Sequence, residues 1–357
     1  MSKEISEQPD NCVPEADTDS IGPTWPPKES SFNRIKGIDT RGVITDTRRL
    51  SEILTVLQDL RQACLKDEKL DRASVRILIE NNLLLKSSDT LQGFGEAVIP
   101  LSGSQDELQE TSLLYLGFNC PKRQPNPEEL RQSITNVQHA MRRDTASFKQ
   151  IRARTLEQGY QLGISDFGER VNDEQVWSEM TSLYKRFGWN SEDVLDILRK
   201  ENNILAVASL NGQIVSAGIA ETVLLTFEDG VQLRMAEITE AATREEHQGR
   251  GLYTAVASEL MFELYKKSAE KQLLDGQIDL VFGECNGNAP GVLKAVRSLG
   301  RSFSHEYSLT MGIERVVPGF LPQHVPIAGA KRSTPYNDLF PAYINRQSLA
   351  KFIEENR

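Results

Sequence analysis

The sequence predicts a mixed α/β (α+β) protein: a central, mostly antiparallel, twisted sheet flanked by helices, with a helix-rich region before it. Three observations carry that expectation. The dipeptide Asn211-Gly212 separates two apolar runs, NILAVASL and QIVSAGIAETVLL, and supplies the two positive φ angles of a two-residue hairpin turn. Glu228-Asp229-Gly230 then turns the chain into a third strand, Val231 to about Thr243, so that three antiparallel strands are consecutive. Two glycines, Gly249 and Gly251, open an amphipathic helix carrying Leu252, Val256, Leu260, Met261 and Leu264, followed by a buried strand and one more helix.

Bulk properties narrow the function. A chain of 357 residues holds one large domain or two ordinary ones, and 39% hydrophobic with 26% charged residues is globular usage. No window approaches the roughly 18 consecutive apolar residues of a membrane span, and MSKEISEQPDNC lacks the apolar stretch of a secretory signal, so the default expectation is a soluble, cytoplasmic protein. Cys12, Cys64, Cys120 and Cys285 are far apart and make no CxxC, which points to reduced thiols rather than a disulfide framework or a zinc knuckle. With 41 Lys+Arg against 51 Asp+Glu the net charge is −10, which disfavours nucleic acid and anionic membranes and suits a cationic small molecule.

Taken in order, residues 1–32 hold five prolines among acidic and small polar residues and read as a disordered acidic tail, with Trp25 a loosely ordered aromatic. Residues 33–158 read as a helix-rich region of unknown role: Leu50, Ile53, Leu54, Leu57 and Leu60 recur at helical spacing, Val75 to Leu84 form a second apolar run, and LLYLGF is a short buried strand. No chemistry is visible there. Asn126, Pro127 and Glu129 give an N-cap, a first-turn proline and the acid of a capping box, opening helical spacing that lasts to about Leu156, where Gly159 ends it. In residues 159–320, Tyr160 to Ile164 suits a strand, Asn172 caps a helix bearing Trp177, Met180, Leu183, Tyr184 and Phe187, and a second helix covers Asn190 to about Arg199. After the glycine turn and its helix, IDLVFGE is the buried strand and NAPGVLKAVRSLG the closing helix. Residues 321–357 form a Pro-rich C-terminal extension with a final helix from Asn345, a cover for the active site or for a second copy of the chain; a homodimer stays open.

Glycines between a strand and a helix let a ligand approach the main chain, and the unpaired amides of the first helical turn, with the helix dipole, bind a diphosphate. The spacing is neither GxGxxG nor GxxxxGK[ST]. QGRGLYTAV, Gln248 to Val256, resembles instead the acyl-CoA diphosphate loop of the GNAT N-acyltransferase superfamily, Q/R-x-x-G-x-G/A, with Tyr253 standing where Gly or Ala is usual. The element order from Tyr160 to Phe320 matches the same superfamily. AEITEAAT, HQGRGL and NAPGV together are similar to its β-lysine N-acetyltransferase branch, which implies a small amine or amino-acid-like acceptor.

The resemblance implies direct transfer of an acetyl group from acetyl-CoA to a primary amine, with both substrates bound together. It places the general base at Glu237, with Glu240 the second candidate; strand alternation sets the two on opposite faces unless a bulge intervenes. Main-chain amides of Ala241, Ala242 and Thr243 polarise the thioester carbonyl and hold the pantetheine arm. The diphosphate falls to Gln248, Gly249, Arg250, Gly251, Leu252, Tyr253 and Thr254, with Arg250 adding charge or facing solvent. Asn288 bonds the pantetheine or caps the following helix. Tyr184 and Trp189 line the acceptor pocket or pack in the core. The tyrosine that the family often uses on the leaving thiolate falls on Val296, Tyr307 is a distant substitute, and Cys285 reads as a buried small hydrophobe. His247 reads as solvent-facing, and His139, His305 and His324 lack metal-ligand spacing, so no metal is expected. Two other classes compete: a catalytically silent CoA-binding module, and an interaction scaffold that has kept the fold alone.

Overall fold

A computed structural model of the chain describes residues 34–66, 72–103, 106–120, 126–142, 148–165, 174–185, 196–200, 202–271, 273–313, 317–320 and 336–356; the expected acidic tail and Trp25 lie outside them. The first unit contains β1 (Arg34–Ile38), α1 (Thr47–Lys66), β2 (Arg72–Glu80), α2 (Asn81–Lys86), α3 (Ser88–Leu91), β3 (Gly95–Pro100) and β4 (Thr111–Asn119). The strands form a sheet in the order β1-β2-β4-β3. The helices expected before residue 158 are present, but α1 to α3 are organised on a sheet of which the sequence showed one strand. The reason is burial on both faces. Val75, Ile77 and Ile79 meet Leu50, Ile53 and Leu57 of α1, while Leu78 meets the layer on the other side, so the run is nearly continuously apolar and its two-residue period is hidden.

The second unit adds α4 (Pro127–Met141), α5 (Phe148–Glu157), β5 (Gln161–Ser165), α6 (Glu174–Lys185), β6 (Ile204–Leu210), β7 (Gln213–Thr226), β8 (Gln232–Thr243), α7 (Leu252–Ala269), β9 (Leu280–Asn286), α8 (Pro290–Ser298), β10 (Ser302–Phe303), α9 (Ser304–Thr310), β11 (Val317–Phe320), β12 (Tyr336–Asn345) and α10 (Arg346–Asn356). Its sheet runs β10-β12-β9-β8-β7-β6-β5, with β11 beside β12, and is antiparallel except where β8 meets β9. This is the mixed α/β, mostly antiparallel sheet flanked by helices that the patterning predicts. Local chemistry explains the joints. Asn126 Oδ1 accepts from the N–H groups of Glu128 (2.9 Å) and Glu129 (3.3 Å) to open α4. Asn211 (φ 52°) and Gly212 (φ 80°) close the β6–β7 hairpin. Of the helix expected over Asn190–Arg199, only the end lies within the described residues.

The large sheet is covered on both faces. Ala236, Ile238 and Val281 pack against α7 and α10. The opposite face carries Leu233, Met235, Leu280 and Phe282 against Leu78, Ile99 and Tyr115 of the small sheet, and farther along, Leu205, Ala217 and Ile219 against α6.

Packing departs from the boundaries expected at 158 and 320. Val137 of α4 joins Leu293 and Val296 of α8, and Phe148 of α5 sits 5.9 Å ring to ring from both Phe262 and Phe352, so both helices belong with the large sheet. The C-terminal extension is likewise structural. Leu339–Asn345 of β12 pair with Asn286–Leu280 of β9, and Leu349, Phe352 and Ile353 of α10 enter the main core, because β9 needs a second neighbour where β8 leaves it. No helix among the described residues is long and apolar enough to cross a membrane.

Candidate active site

The opening between β8 and β9 is built into their register. Only three pairs join them: Met235 with Leu280, Ala236 with Val281, and Glu237 with Phe282. Beyond that point β8 continues to Thr243 and β9 to Asn286 without pairing to each other. A bulge turns β8 aside. Ile219 of β7 faces Thr239, but Ala217 faces Ala242, so Glu240 and Ala241 together stand opposite Gly218. The bulge that alternation left open for Glu237 and Glu240 is therefore present; the Glu240 side chain lies outside the described residues.

The end of β8 is pinned. Ser216 Oγ donates to Ala242 O (3.0 Å) and lies 2.8 Å from Thr243 Oγ1; the buried Arg244 donates from its main chain to Val215 O (2.9 Å) and from Nε to Ile214 O (2.8 Å). A single 3-10 turn, Glu245–His247, leads into the glycine turn, where the exposed Gln248 donates from Nε2 to Thr243 O (3.2 Å). Gly249 (φ 75°) and Gly251 (φ 84°) hold left-handed conformations that other residues adopt at a cost. Among the described residues, the amides of residues 249–254 donate to no protein acceptor, and they stand together at the start of an 18-residue helix. Arg250 is exposed, with Nη2 donating to Glu246 O (3.3 Å). Helix α5 closes in from the side: a Cβ on Gly251 would stand 2.8 Å from Ile151 Cγ2.

His247 is not simply solvent-facing. It is half-buried, its Nδ1 lies 2.8 Å from the Tyr160 hydroxyl, and the two rings meet edge to face, which ties the loop to the start of β5.

Glu237, at the last pair before the strands part, is half-buried and projects toward the small sheet. Glu221, opposite it on β7, and Glu284, two residues beyond its β9 partner Phe282, project from the same face. Across from them, Arg76 lies 4.8 Å from the centre of the Tyr115 ring and 5.4 Å from that of Phe282. Tyr115 is 4% exposed, and its hydroxyl makes no hydrogen bond among the described residues. Burial raises its pKa, and the carboxylates of Glu284 and Glu237 push it further up against the pull of Arg76. Glu221 also pairs with Lys200, its Oε2 3.6 Å from the Lys200 Nζ. A face that carries three carboxylates, with a guanidinium and a phenol across from it, can hold an ammonium group and receive its proton.

Other predicted residues fall elsewhere. Tyr184 is 1% exposed and packs with Met180, Leu183 and Ile219 in the core rather than lining a pocket, because its place on α6 turns it onto the sheet. Trp189 lies outside the described residues. Asn288 does not cap α8, whose N-cap position belongs to Ala289; its amide donates to Ser133 Oγ (2.9 Å) on α4, which itself donates to Asp338 (2.6 Å). Tyr307, on α9, packs against the core of the small sheet. Cys285 is buried, which pushes its thiol up to about 11 and keeps it protonated. Arg76, Tyr115 and Glu284 were not found by sequence reasoning. The only trace they leave is a polar group interrupting an apolar run, in ASVRILIE, LLYLGF and LVFGECN.

No family model matches the chain, and no curated protein matches it. Among solved structures it is similar to the ribosomal-protein-S18-alanine N-acetyltransferase from Escherichia coli, at 13% identity over 52% of this chain and 93% of that one, with a TM-score of 0.35. It is similar also to Arabidopsis thaliana NAA60 in complex with acetyl-CoA (12% identity, 52% and 98% covered, TM-score 0.34) and to an N-acetyltransferase from Staphylococcus aureus Mu50 (10%, 52% and 97%, 0.31). Similarity of this depth leaves the functional reading to the chain's own residues.

Proposed function

We propose that this chain is an acyl-CoA-dependent N-acyltransferase that moves an acetyl group from acetyl-CoA to the primary amine of a small, amino-acid-like acceptor by direct attack in a ternary complex. The observation that carries the reading is the run of unpartnered amides at residues 249–254 beside a sheet opening whose last residue pair carries Glu237. Amides at a helix start favour a diphosphate through both hydrogen bonding and the helix dipole. The unpaired length of β8 offers main-chain groups at Ala241, Ala242 and Thr243 to the pantetheine arm and the thioester carbonyl. Glu237 takes the ammonium proton, and Glu284 on the same face adds charge that attracts the cation. The small sheet walls that face, which favours a compact amine, β-lysine among them, over the surface of a folded protein.

The test is thiol release from acetyl-CoA against small diamines, amino acids including β-lysine, aminoglycosides and lysine peptides, with mass spectrometry of the products. Acetylation of a small amine is expected, and Glu237→Gln lowers the chemical step by roughly 10²–10⁴-fold. Wild-type turnover in that variant, when chemistry limits the rate, refutes the base assignment. Calorimetric titration that finds no acetyl-CoA binding refutes the whole reading.

A further inference from the structure

The faces that the two sheets turn to each other change character along the strands. Where β8 and β9 are still paired, Met235 and Leu280 of the large sheet and Leu78, Leu113 and Ile99 of the small one are apolar. Two residues farther along, at the last β8–β9 pair, Tyr343, Phe282, Glu237 and Glu221 stand side by side across the large sheet, and Arg76, Tyr115 and Ala97 across the small one. The Arg76 guanidinium joins the two rows, 4.8 Å from the centre of the Tyr115 ring and 5.4 Å from that of Phe282. From Arg72 to Ile79, β2 is buried at every residue except Arg76, and Glu237 and Glu284 are half-buried as well. Solvent therefore reaches the charged groups while the rings among them stay covered.

Tyr115 is the member of this group whose polar atom the fold leaves unused. It is 4% exposed, and its hydroxyl makes no hydrogen bond among the described residues. Phenylalanine would fill the same space without the cost of a buried, unsatisfied hydroxyl, so the fold itself does not need the oxygen. Strand alternation turns the side chain from β4 toward the large sheet, where it packs in one core with Phe282. Sheets packed face to face stand about 10 Å apart, so the end of a tyrosine on one reaches the side chains of the other. The hydroxyl thus ends in the layer that holds Glu237. Burial keeps it protonated, and a neutral phenol oxygen accepts from an N–H without competing for its proton.

We infer that the Tyr115 hydroxyl is the acceptor contact that selects primary amines, holding throughout the reaction the one N–H that remains in the amide product. This rests on the acyl-CoA reading above. A primary ammonium carries three N–H bonds. One proton passes to Glu237 before attack. A second leaves the nitrogen as its bond to the carbonyl carbon forms and the C–S bond breaks; sulfur keeps the electron pair, and this proton ends on the CoA thiol. The third hydrogen stays as the amide N–H, and Tyr115 accepts from it at every stage. A secondary ammonium gives up both of its protons and keeps none for Tyr115, so the phenol oxygen is left buried and unpaired as the amide forms. The small sheet thereby takes part in the choice of acceptor.

The experiment measures thiol release from acetyl-CoA with 1,5-diaminopentane, lysine and β-lysine, each beside the same compound carrying one methyl group on every amino nitrogen. Tyr115→Phe is expected to lower kcat/KM for the primary amines by roughly 10–100-fold, the worth of a hydrogen bond to a charged group, and to leave the methylated forms nearly unchanged, so that the preference for primary amines falls by the same factor. Its Kd for acetyl-CoA by calorimetry stays at the wild-type value. Its urea midpoint lies at or above that of the wild type, because no partner within the fold is lost. An undiminished kcat/KM for the primary amines, an unchanged preference, weaker acetyl-CoA binding or a lower midpoint overturns the inference and leaves the acyl-CoA reading standing. No turnover of any of these amines by the wild-type protein overturns the small-acceptor reading and the inference together.

Discussion

Replacing Gly283 with alanine puts a methyl group where β8 and β9 part. The added carbon stands 2.6 Å from Ile238 O and 2.8 Å from Arg301 Nη2. The first neighbour is main chain and cannot swing away; the second is held by its hydrogen bond to Ala342 O. Overpacking of this kind costs about 1–3 kcal/mol, against a gain of about 0.4–1 kcal/mol from the stiffer unfolded chain. Gly291, in the first turn of α8, is the control, since a Cβ there meets nothing within 4 Å and only the gain remains. The difference between Gly283→Ala and Gly291→Ala is therefore the overpacking cost itself. At a urea slope of about 3 kcal/mol per M, the two midpoints separate by roughly 0.3–1 M, with Gly291→Ala above the wild type. Coincident midpoints refute the close approach of β8, β9 and Arg301, and with it the geometry of the opening.

The small sheet should depend on the buried pair of Arg72 and Glu96, which joins β2 to β3 across β4 by two contacts of 2.7 and 2.5 Å. Glu96→Gln is expected to lose about 3–5 kcal/mol in urea unfolding, because it leaves the guanidinium buried and uncompensated, whereas replacing both partners with apolar residues recovers most of the loss. Asp39, 1% exposed, has its pKa held down: burial pushes it up, but the hydrogen bonds from Arg41 and the charge of Arg49 outweigh that. Its contribution is therefore present above the unfolded value near 3.9 and is lost as the pH falls through the folded value, so the stability gap between wild type and Asp39→Asn should narrow from pH 7 to pH 3.

Legibility in the sequence follows the range of the interaction. The Asn126 cap, the Asn211-Gly212 hairpin and the turn at Gly249 and Gly251 are settled by residues a few positions apart, and each appears where the pattern places it. The small sheet was harder to read because both its faces are covered, which removes the alternation that marks a half-exposed strand. The approach of Arg76 and Tyr115 to Glu237 joins strands more than 100 residues apart and leaves no local spacing to detect. Arg301 carried no signal at all. An arginine after a helix-ending glycine looks like a solvated charge, and only the fold shows that β12 and α8 have buried it.

The opening itself needs a partner that no motif announces. Once β8 turns away after Glu237, residues 283–286 of β9 lose one neighbour, and a strand in the middle of a core cannot leave both edges unsatisfied. β12 supplies the other edge along its whole length, from Asn345 opposite Leu280 to Leu339 opposite Asn286. The same strand provides the Ala342 carbonyl that anchors Arg301. A bulge on one side and the strand β12 on the other thus frame the gap between β8 and β9, and the C-terminal segment belongs to the candidate site as its supporting wall.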